Sequence, residues 1–553
     1  MDSETYIAVT YEKNNILEHI TETLEQYPAR ELVISGDGKT RMTYKAVDER
    51  ANRLANVLKG VGVKKGDRVA LFQNNRWQYF EQYLAVLKIG AICVPMNFRL
   101  KSQEALYILN QSGAAVLLFE ERYTPIFEPI RSGFKMVKHY LCTVGEVPHW
   151  ALDYENLLSD AGIDEPPAVD LVPDDICAIC YTSGTTGLPK GSIATHRNIM
   201  VNFYSTEMGG GLTDSHHYES ELGYPVYLNN VPLYHIAGII FTYAIMASGG
   251  AMVLPDMFTP ESFMQIVDRE KVSITYLVPT MFHMILEAPS FRKYDLTSLK
   301  SIAYGAMPMN DELLKRILKE FPKGISYSDN FGCTECNATS IAKRPEDHDL
   351  TGTEKEVSKK LKRLKGVGKP MTFGIETKIV DENGKEVSPR VIGEIICRGD
   401  KVTPGYWQNP EQTAKAIDKD GWFHTGDMGW QDEEGYFYFA DRAKDMINRG
   451  GENIFPIEVE QVIARHTKVL DVAVYGVPDS IWGNSVAASV VLRPNETVSE
   501  ENLINFCKAD LASYKVPSII EFVEALPRTF EGGKVKRNVL REGFMKKNKG
   551  QVS

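Results

Sequence analysis

Apolar residues recur through the first half of the chain in two alternating rhythms. Val47, Ala51, Leu54 and Leu58 fall at the three- and four-residue spacing of one helix face, with Thr43 placed to cap the start and Gly60 and Gly62 near the end. "DRVALFQ" then reads as a strand, "QYFEQYLAVLKIG" as a helix, "AICVPM" as a strand, "SQEALYILNQSG" as a helix and "AAVLLFE" as another strand. The rhythm returns around "SITYLVPT" and "LKSIAYGA". Strands separated by helical stretches predict parallel sheet with crossover helices. The most apolar run, Ile236 to Ala247, is too short to span a bilayer, which needs about 20 residues, and predicts a buried helix.

Two stretches interrupt this pattern. Residues 209–223, "GGGLTDSHHYESELG", are polar and predict a mobile loop, and the neighbouring His216 and His217 lack other evident metal ligands. Residues 354–365, "EKEVSKKLKRLK", predict an exposed charged helix. Beyond about Val391 the texture changes to short strands with tight glycine turns, as in "GWFHTGDMGWQDEEGYFYFADR". A helix with Pro456 in its first turn follows, then the strands "LDVAVYGV" and "SVAASVVLR". Thr497 and Glu500 have the spacing of a capping box opening a helix with Leu503, Ile504, Cys507 and Leu511. The expected fold class is α/β: a large N-terminal domain, residues 1–440, with mixed, mostly parallel sheets and crossover helices. A small mobile α+β C-terminal domain, residues 441–553, completes it.

Composition narrows the function. A chain of 553 residues exceeds what one core supports, and 43% hydrophobic with 24% charged residues is ordinary for a globular protein. The net charge of -11 lacks the basic excess of a nucleic-acid binder. The opening "MDSETYIAVTYEKNN" has neither the basic start nor the apolar run of a signal peptide, so the expected location is cytoplasmic, with no integral membrane segment. Among eight cysteines, Cys177/Cys180 and Cys333/Cys336 form C-x-x-C pairs. On a regular strand residues three apart point to opposite faces, so Cys177 and Cys180 are expected not to grip one metal.

The chemistry concentrates in "YTSGTTGLPKG", residues 181–191, which follows an apolar strand. Glycine lets backbone N–H groups approach an anion, and Ser183, Thr185, Thr186 and Lys190 add donors suited to phosphate. Walker A spacing is absent. Taken alone, the stretch fits a phosphate cradle or a structural turn equally well.

The longer segment "YTSGTTGLPKGSIATHRN" closely resembles the signature of the adenylate-forming enzymes, which include acyl- and aryl-CoA synthetases, luciferases and peptide-synthetase adenylation domains. "VPLYHIAG", "YGAMPM", "NFGCTE", "HTGDMG", "DRAKDMINRGGENIFP", "SYKVP" and "PRTFEGGKVKR" resemble that family's later motifs in order, over nearly the whole chain. The resemblance implies an AMP-forming acid–CoA ligase that makes an acyl-adenylate from ATP, then a thioester with coenzyme A. Delivery of the acyl group to a carrier protein or to oxygen is the alternative.

The resemblance also distributes roles. Thr182, Ser183, Gly184, Thr185, Thr186, Gly187 and Lys190 would cradle the outer phosphates. Glu335 would hold Mg²⁺, and Thr334 would meet the phosphate side of the nucleotide. Gly305, Ala306, Met307, Asn330 and Phe331 would wall the adenine. Asp427 and Arg442 would bind the ribose, Lys444 would be the hinge, and Arg449, Gly450 and Gly451 would flank the pantetheine path. Lys534 would be the catalytic lysine, although "PRTFEGGK" is one residue longer than the usual form and Lys536 is its only near substitute. His235 would stand between acyl pocket and thiol path. Tyr234, His235, Ile236, Ile239, Ala303, Gly305 and Gly332 would line the acyl pocket. Acetate-type relatives carry tryptophan where Gly332 stands, so a medium-chain, branched, cyclic or aromatic monocarboxylate is expected. The partners implied are that acid, ATP and CoA, with no nucleic acid, and a homo-oligomer is left open.

Overall fold

The computed structural model describes residues 13–182, 188–208, 220–305, 309, 311–337, 340–343, 345–371, 373–442, 445–449, 452–479, 481–528 and 535–547. Two compact units emerge, residues 1–377 with 397–423, and residues 378–396 with 424–553.

The first unit is built on two sheets. One has seven strands in the order Leu152–Asp153, His139–Val144, Val116–Glu120, Arg68–Phe72, Ile92–Pro95, Ile176–Thr182 and Lys190–Thr195. Its pairs are parallel except the last, a hairpin. The second has nine strands; the run Ser326–Phe331, Ser301–Gly305, Ile274–Leu277, Val226–Leu228, Ala251–Leu254 and Glu31–Ser35 is parallel, with antiparallel strands at both edges.

Period-two alternation assigns each strand face to a different core. Val69 and Leu71 join the core between the two sheets, whereas Ala70 and Phe72 join the one on the far face. The inter-sheet core also takes Val33, Met252, Ile274 and Ala303 from the nine-stranded sheet. Several helices fill that layer, Ile16–Gln26 among them. Tyr44–Gly60 is capped by Thr43, whose side chain accepts from the Ala46 N–H; Gln78–Lys88 is buried on every side; Ile236–Ser248 is the apolar run. The remaining face of the nine-stranded sheet packs on helices Pro260–Glu270, Pro279–Glu287 and Asp311–Glu320.

The charged segment forms the helix Glu354–Arg363 with no buried residue, opened by a capping box between Thr353 and Glu356. Residues 209–219 of the polar stretch, with His216 and His217, lie outside the described residues.

The second unit carries a four-stranded sheet ordered Glu376–Val380, Gly393–Arg398, Phe423–Gln431, Phe437–Arg442. A second sheet, Val469–Asp479, Gly483–Leu492 and Ile519–Phe522, shares a core with helices Pro456–Ile463 and Glu500–Lys508. The capping expectation needs correction here. The helix begins at Glu500, and its cap is Ser499, whose side chain accepts from the Asn502 N–H. Thr497 lies outside the helix, and its carbonyl accepts from Lys468 Nζ at 2.8 Å.

The expected facing of the two cysteines is corrected as well. The register of strand Ile176–Thr182 shifts between Ile176 and Ala178. This bulge turns Cys177 into the same core as Cys180, while Ile179 faces the other way. Burial holds the Cys180 thiol up at about 12 and raises Cys177 further.

Candidate active site

Sheet topology gathers the expected nucleotide residues at the carboxyl ends of parallel strands, where open α/β sheets place ligands. Strands Ser301–Gly305 and Ser326–Phe331 are neighbours, with Ala303 beside Ser328 and Gly305 beside Asn330. A Cβ on Gly305 would stand 2.3 Å from the Asn330 carbonyl oxygen and 2.8 Å from the Tyr276 hydroxyl, so only glycine permits this approach. Gly305, Asn330 and Phe331 therefore share one edge. Gly332 is exposed just beyond it. The chain then enters a short 3₁₀ turn, Thr334–Cys336, which presents Thr334 and Glu335. Ala306 and Met307 lie outside the described residues.

The phosphate signature closes on a hairpin. Thr182 and Lys190 face each other as its last paired residues, bracketing Ser183, Gly184, Thr185, Thr186 and Gly187, which lie outside the described residues. Lys190 Nζ stands 4.4 Å from the centroid of the Tyr406 ring. The Tyr406 hydroxyl donates to Glu335 Oε1 at 2.9 Å. Among the described residues Glu335 makes no salt bridge, and a hard carboxylate beside the expected phosphate loop fits Mg²⁺. Tyr406 and Tyr276 did not emerge from the sequence: each is one aromatic among many, and neither lies near its contact in the chain.

The residues expected at the acyl pocket divide between a buried core and a turn. Ile236, Ile239 and Ala303 are buried in the inter-sheet core, with Tyr276 packed against it. Tyr234 is buried with its ring edge-on to Phe98 at 5.6 Å, and Arg99 Nη1 donates to its hydroxyl at 3.5 Å. His235 is half-buried and caps the apolar helix, its Nδ1 accepting from the Ala237 N–H at 3.4 Å. Gly238 lets the helix sit on this turn, because a Cβ there would lie 2.4 Å from the Pro232 carbonyl oxygen.

In the second unit Asp427 and Arg442 are directly paired across two strands, with Arg442 Nε 3.4 Å from Asp427 Oδ1. Asp427 is 8% exposed, and its backbone N–H is held by Thr425 Oγ1 at 3.0 Å. Arg449 faces Glu452 across a small hairpin that brackets Gly450 and Gly451, and its Nη1 donates to the Tyr514 carbonyl at 3.0 Å. A bridge between Arg528 and Val535 closes the segment containing Lys534. Lys444, Gly450, Gly451 and Lys534 lie outside the described residues.

The hairpin that ends at Thr182 and Lys190, the turn that carries Glu335 and the strand ends at Gly305 and Asn330 stand where the sequence places nucleotide-binding motifs. Residues 20–407 match the AMP-binding enzyme family, and residues 458–532 match the AMP-binding enzyme C-terminal domain. The chain is 34% identical over 505 residues to a feruloyl-CoA synthase of Amycolatopsis sp, covering 91% of this chain and 94% of that protein. It is 31% identical over 517 residues to a crotonobetaine/carnitine–CoA ligase of Proteus mirabilis, with the same coverages of 91% and 94%. Its fold is similar to that of ATP-bound MatB from Rhodopseudomonas palustris, with TM-score 0.84 at 26% identity, covering 96% of this chain and 99% of that one. An anthranilate CoA ligase, AuaEII, solved with anthranoyl-AMP, gives TM-score 0.82 at 27% identity, covering 98% and 99%. The chain belongs to the AMP-binding enzyme family, within the adenylate-forming superfamily, and is an acid–CoA ligase of the AMP-forming, thioester-making class.

Proposed function

We propose that the acid is a ring-bearing or medium-chain monocarboxylate, activated at the edge formed by Gly305, Asn330 and Phe331. The observation that carries this reading is the small side of the pocket: Ala303 on its strand, Gly305 at the strand end and Gly332 just beyond. The feruloyl and anthranoyl acids named for two similar proteins bear rings, which supports it.

On this reading the phosphate loop and Lys190 hold the outer phosphates. Glu335 would hold Mg²⁺, which supplies charge neutralisation on the triphosphate. Asp427 accepts from the ribose hydroxyls while Arg442 steadies its carboxylate. A carboxylate oxygen of the acid attacks the α-phosphorus, the bond to the bridging oxygen breaks, and pyrophosphate leaves. Lys534 offsets the charge that develops on the α-phosphate. The thiolate of CoA then attacks the acyl carbonyl carbon and AMP leaves with the bonding electrons. Lys444 is the hinge about which the small domain, residues 441–553, exchanges Lys534 for Arg449, Gly450 and Gly451 between the two steps. His235 borders the acyl group and the arriving thiol. The reading sets the reaction in the cytoplasm, where eight free cysteines stay reduced.

The test is a panel of carboxylic acids with ATP, Mg²⁺ and CoA, following AMP and thioester together. Equimolar AMP and thioester from aromatic or medium-chain acids is expected. Release of ADP, or AMP formation unaffected by Lys534→Ala, would overturn the assignment.

A further inference from the structure

Tyr406 has no part in the steps just described, yet it touches two of the groups they depend on. The segment around it is tied to both. Ile193 N–H donates to the Gly405 carbonyl at 3.1 Å, and Trp407 N–H donates to the Gly191 carbonyl at 2.7 Å, so an antiparallel bridge between Ser192 and Tyr406 ties residues 405–407 to the strand that begins at Lys190. Thr403 N–H donates to the Glu335 carbonyl at 2.7 Å, and the Thr403 hydroxyl donates to the Ile193 carbonyl at 2.7 Å. Tyr406 N–H is held in turn by Thr413 Oγ1 at 2.9 Å, at the start of helix Pro410–Ala416. The Tyr406 side chain is 6% exposed and has little freedom.

From this anchored backbone the ring offers its face to Lys190 Nζ, 4.4 Å from the centroid, and its hydroxyl proton to Glu335 Oε1, at 2.9 Å. Two consequences follow from elementary electrostatics. A lysine and a glutamate that pair with each other are each less available to an anion or a metal. Among the described residues no salt bridge joins Lys190 to Glu335; both instead contact Tyr406, Lys190 at the ring and Glu335 at the hydroxyl. In addition, each group is oriented without being neutralised. The ring quadrupole holds the ammonium on one face and leaves its N–H bonds for phosphate. The phenol fixes one carboxylate oxygen and leaves the other for a cation, as hydrogen-bonded carboxylate ligands are held in metal sites generally.

We propose that Tyr406 is a positioning residue that keeps Lys190 and Glu335 apart and aligned for a magnesium-bound triphosphate, touching neither the substrate nor the metal itself. This rests on the roles given to Lys190 and Glu335 above.

The experiment compares the full-length protein with Tyr406→Phe and Tyr406→Leu. ATP binding is followed calorimetrically with and without Mg²⁺, Mn²⁺ binding to the ATP complex is followed by electron paramagnetic resonance, and melting temperature reports folding. Tyr406→Phe keeps the ring and loses only the hydroxyl. It should weaken Mn²⁺ in the ATP complex roughly ten-fold and leave metal-free ATP affinity within about two-fold. Tyr406→Leu should show the same metal loss and a further fall of roughly two- to five-fold in metal-free ATP affinity, as Lys190 loses its ring. Wild-type metal affinity in Tyr406→Phe overturns the proposal. So does an equal loss of ATP affinity with and without metal, accompanied by a lowered melting temperature, in both variants. Failure of the wild-type protein to bind ATP with metal would instead remove the nucleotide reading beneath it.

Discussion

Gly332 follows strand Ser326–Phe331 and is exposed between that strand's end and the turn that carries Glu335. Its missing side chain leaves room that the acid needs on the proposed reading. Gly332→Trp should lower kcat/KM for aromatic acids by roughly 100-fold, about 3 kcal/mol, while sparing two- or three-carbon acids; paired kinetics on the two classes check this. Equal losses for both classes would contradict the pocket map. At this scale the motif residues were legible because their chemistry requires particular side chains at particular spacings. Gly305 and Asn330 stand at strand ends and Glu335 on a turn, whereas Asp427 lies within strand Phe423–Gln431. Tyr406 was not legible, since its partner Glu335 lies 71 residues away and nothing local marks the contact.

Among the elements, caps and bulges made the difference between expectation and structure. Thr497/Glu500 and Ser499 both satisfy the local chemistry of a helix start, and sequence spacing favours the first. The structure selects Ser499, whose side chain receives the Asn502 N–H at 3.2 Å. Ser499→Ala should cost about 1 kcal/mol of stability, whereas Thr497→Ala should be near neutral; urea melts of the two variants separate them. Cys177 shows the same limit on strands. Period-two alternation assigns its face correctly only for a regular strand, and the shift between Ile176 and Ala178 is a property of the pairing with strand Lys190–Thr195. By contrast, helix Tyr44–Gly60 begins at the expected Thr43 cap, and the exposed helix Glu354–Arg363 begins within the predicted segment. In both, the signal is wholly local.

For the whole molecule, burial of a titratable group makes stability depend on pH. His196 is 2% exposed, its backbone N–H bonded to the Asp175 carbonyl at 3.0 Å. Desolvation lowers its imidazole from 6.5 to about 4; nearby Lys65 pushes the same way, and Asp175 opposes. The unfolded chain therefore binds more protons than the folded one between these values. The contribution is complete above about 6.5 and is lost as pH falls through about 4, amounting to about 2 kcal/mol lost at pH 5. His196→Gln should flatten the melting temperature between pH 7 and 5 relative to wild type. A parallel decline in both proteins would show that His196 does not carry this dependence. His19, also lowered to about 4 by burial, adds to the slope in both and cancels in the comparison.

By itself the sequence determined what local rules can carry: the alternation of strands and helices, the helix that Thr43 caps, the change of texture toward the C-terminus, and the ordered motifs that mark an acid-activating enzyme. Those signals survive because propensity, capping and motif chemistry act over a few residues. Only the tertiary structure decided how the strands order into seven- and nine-stranded sheets, which face Cys177 takes, and which aromatic joins Lys190 to Glu335. Each of these is set by contacts between residues far apart in the chain, where the free energy of packing depends on partners that no local pattern names.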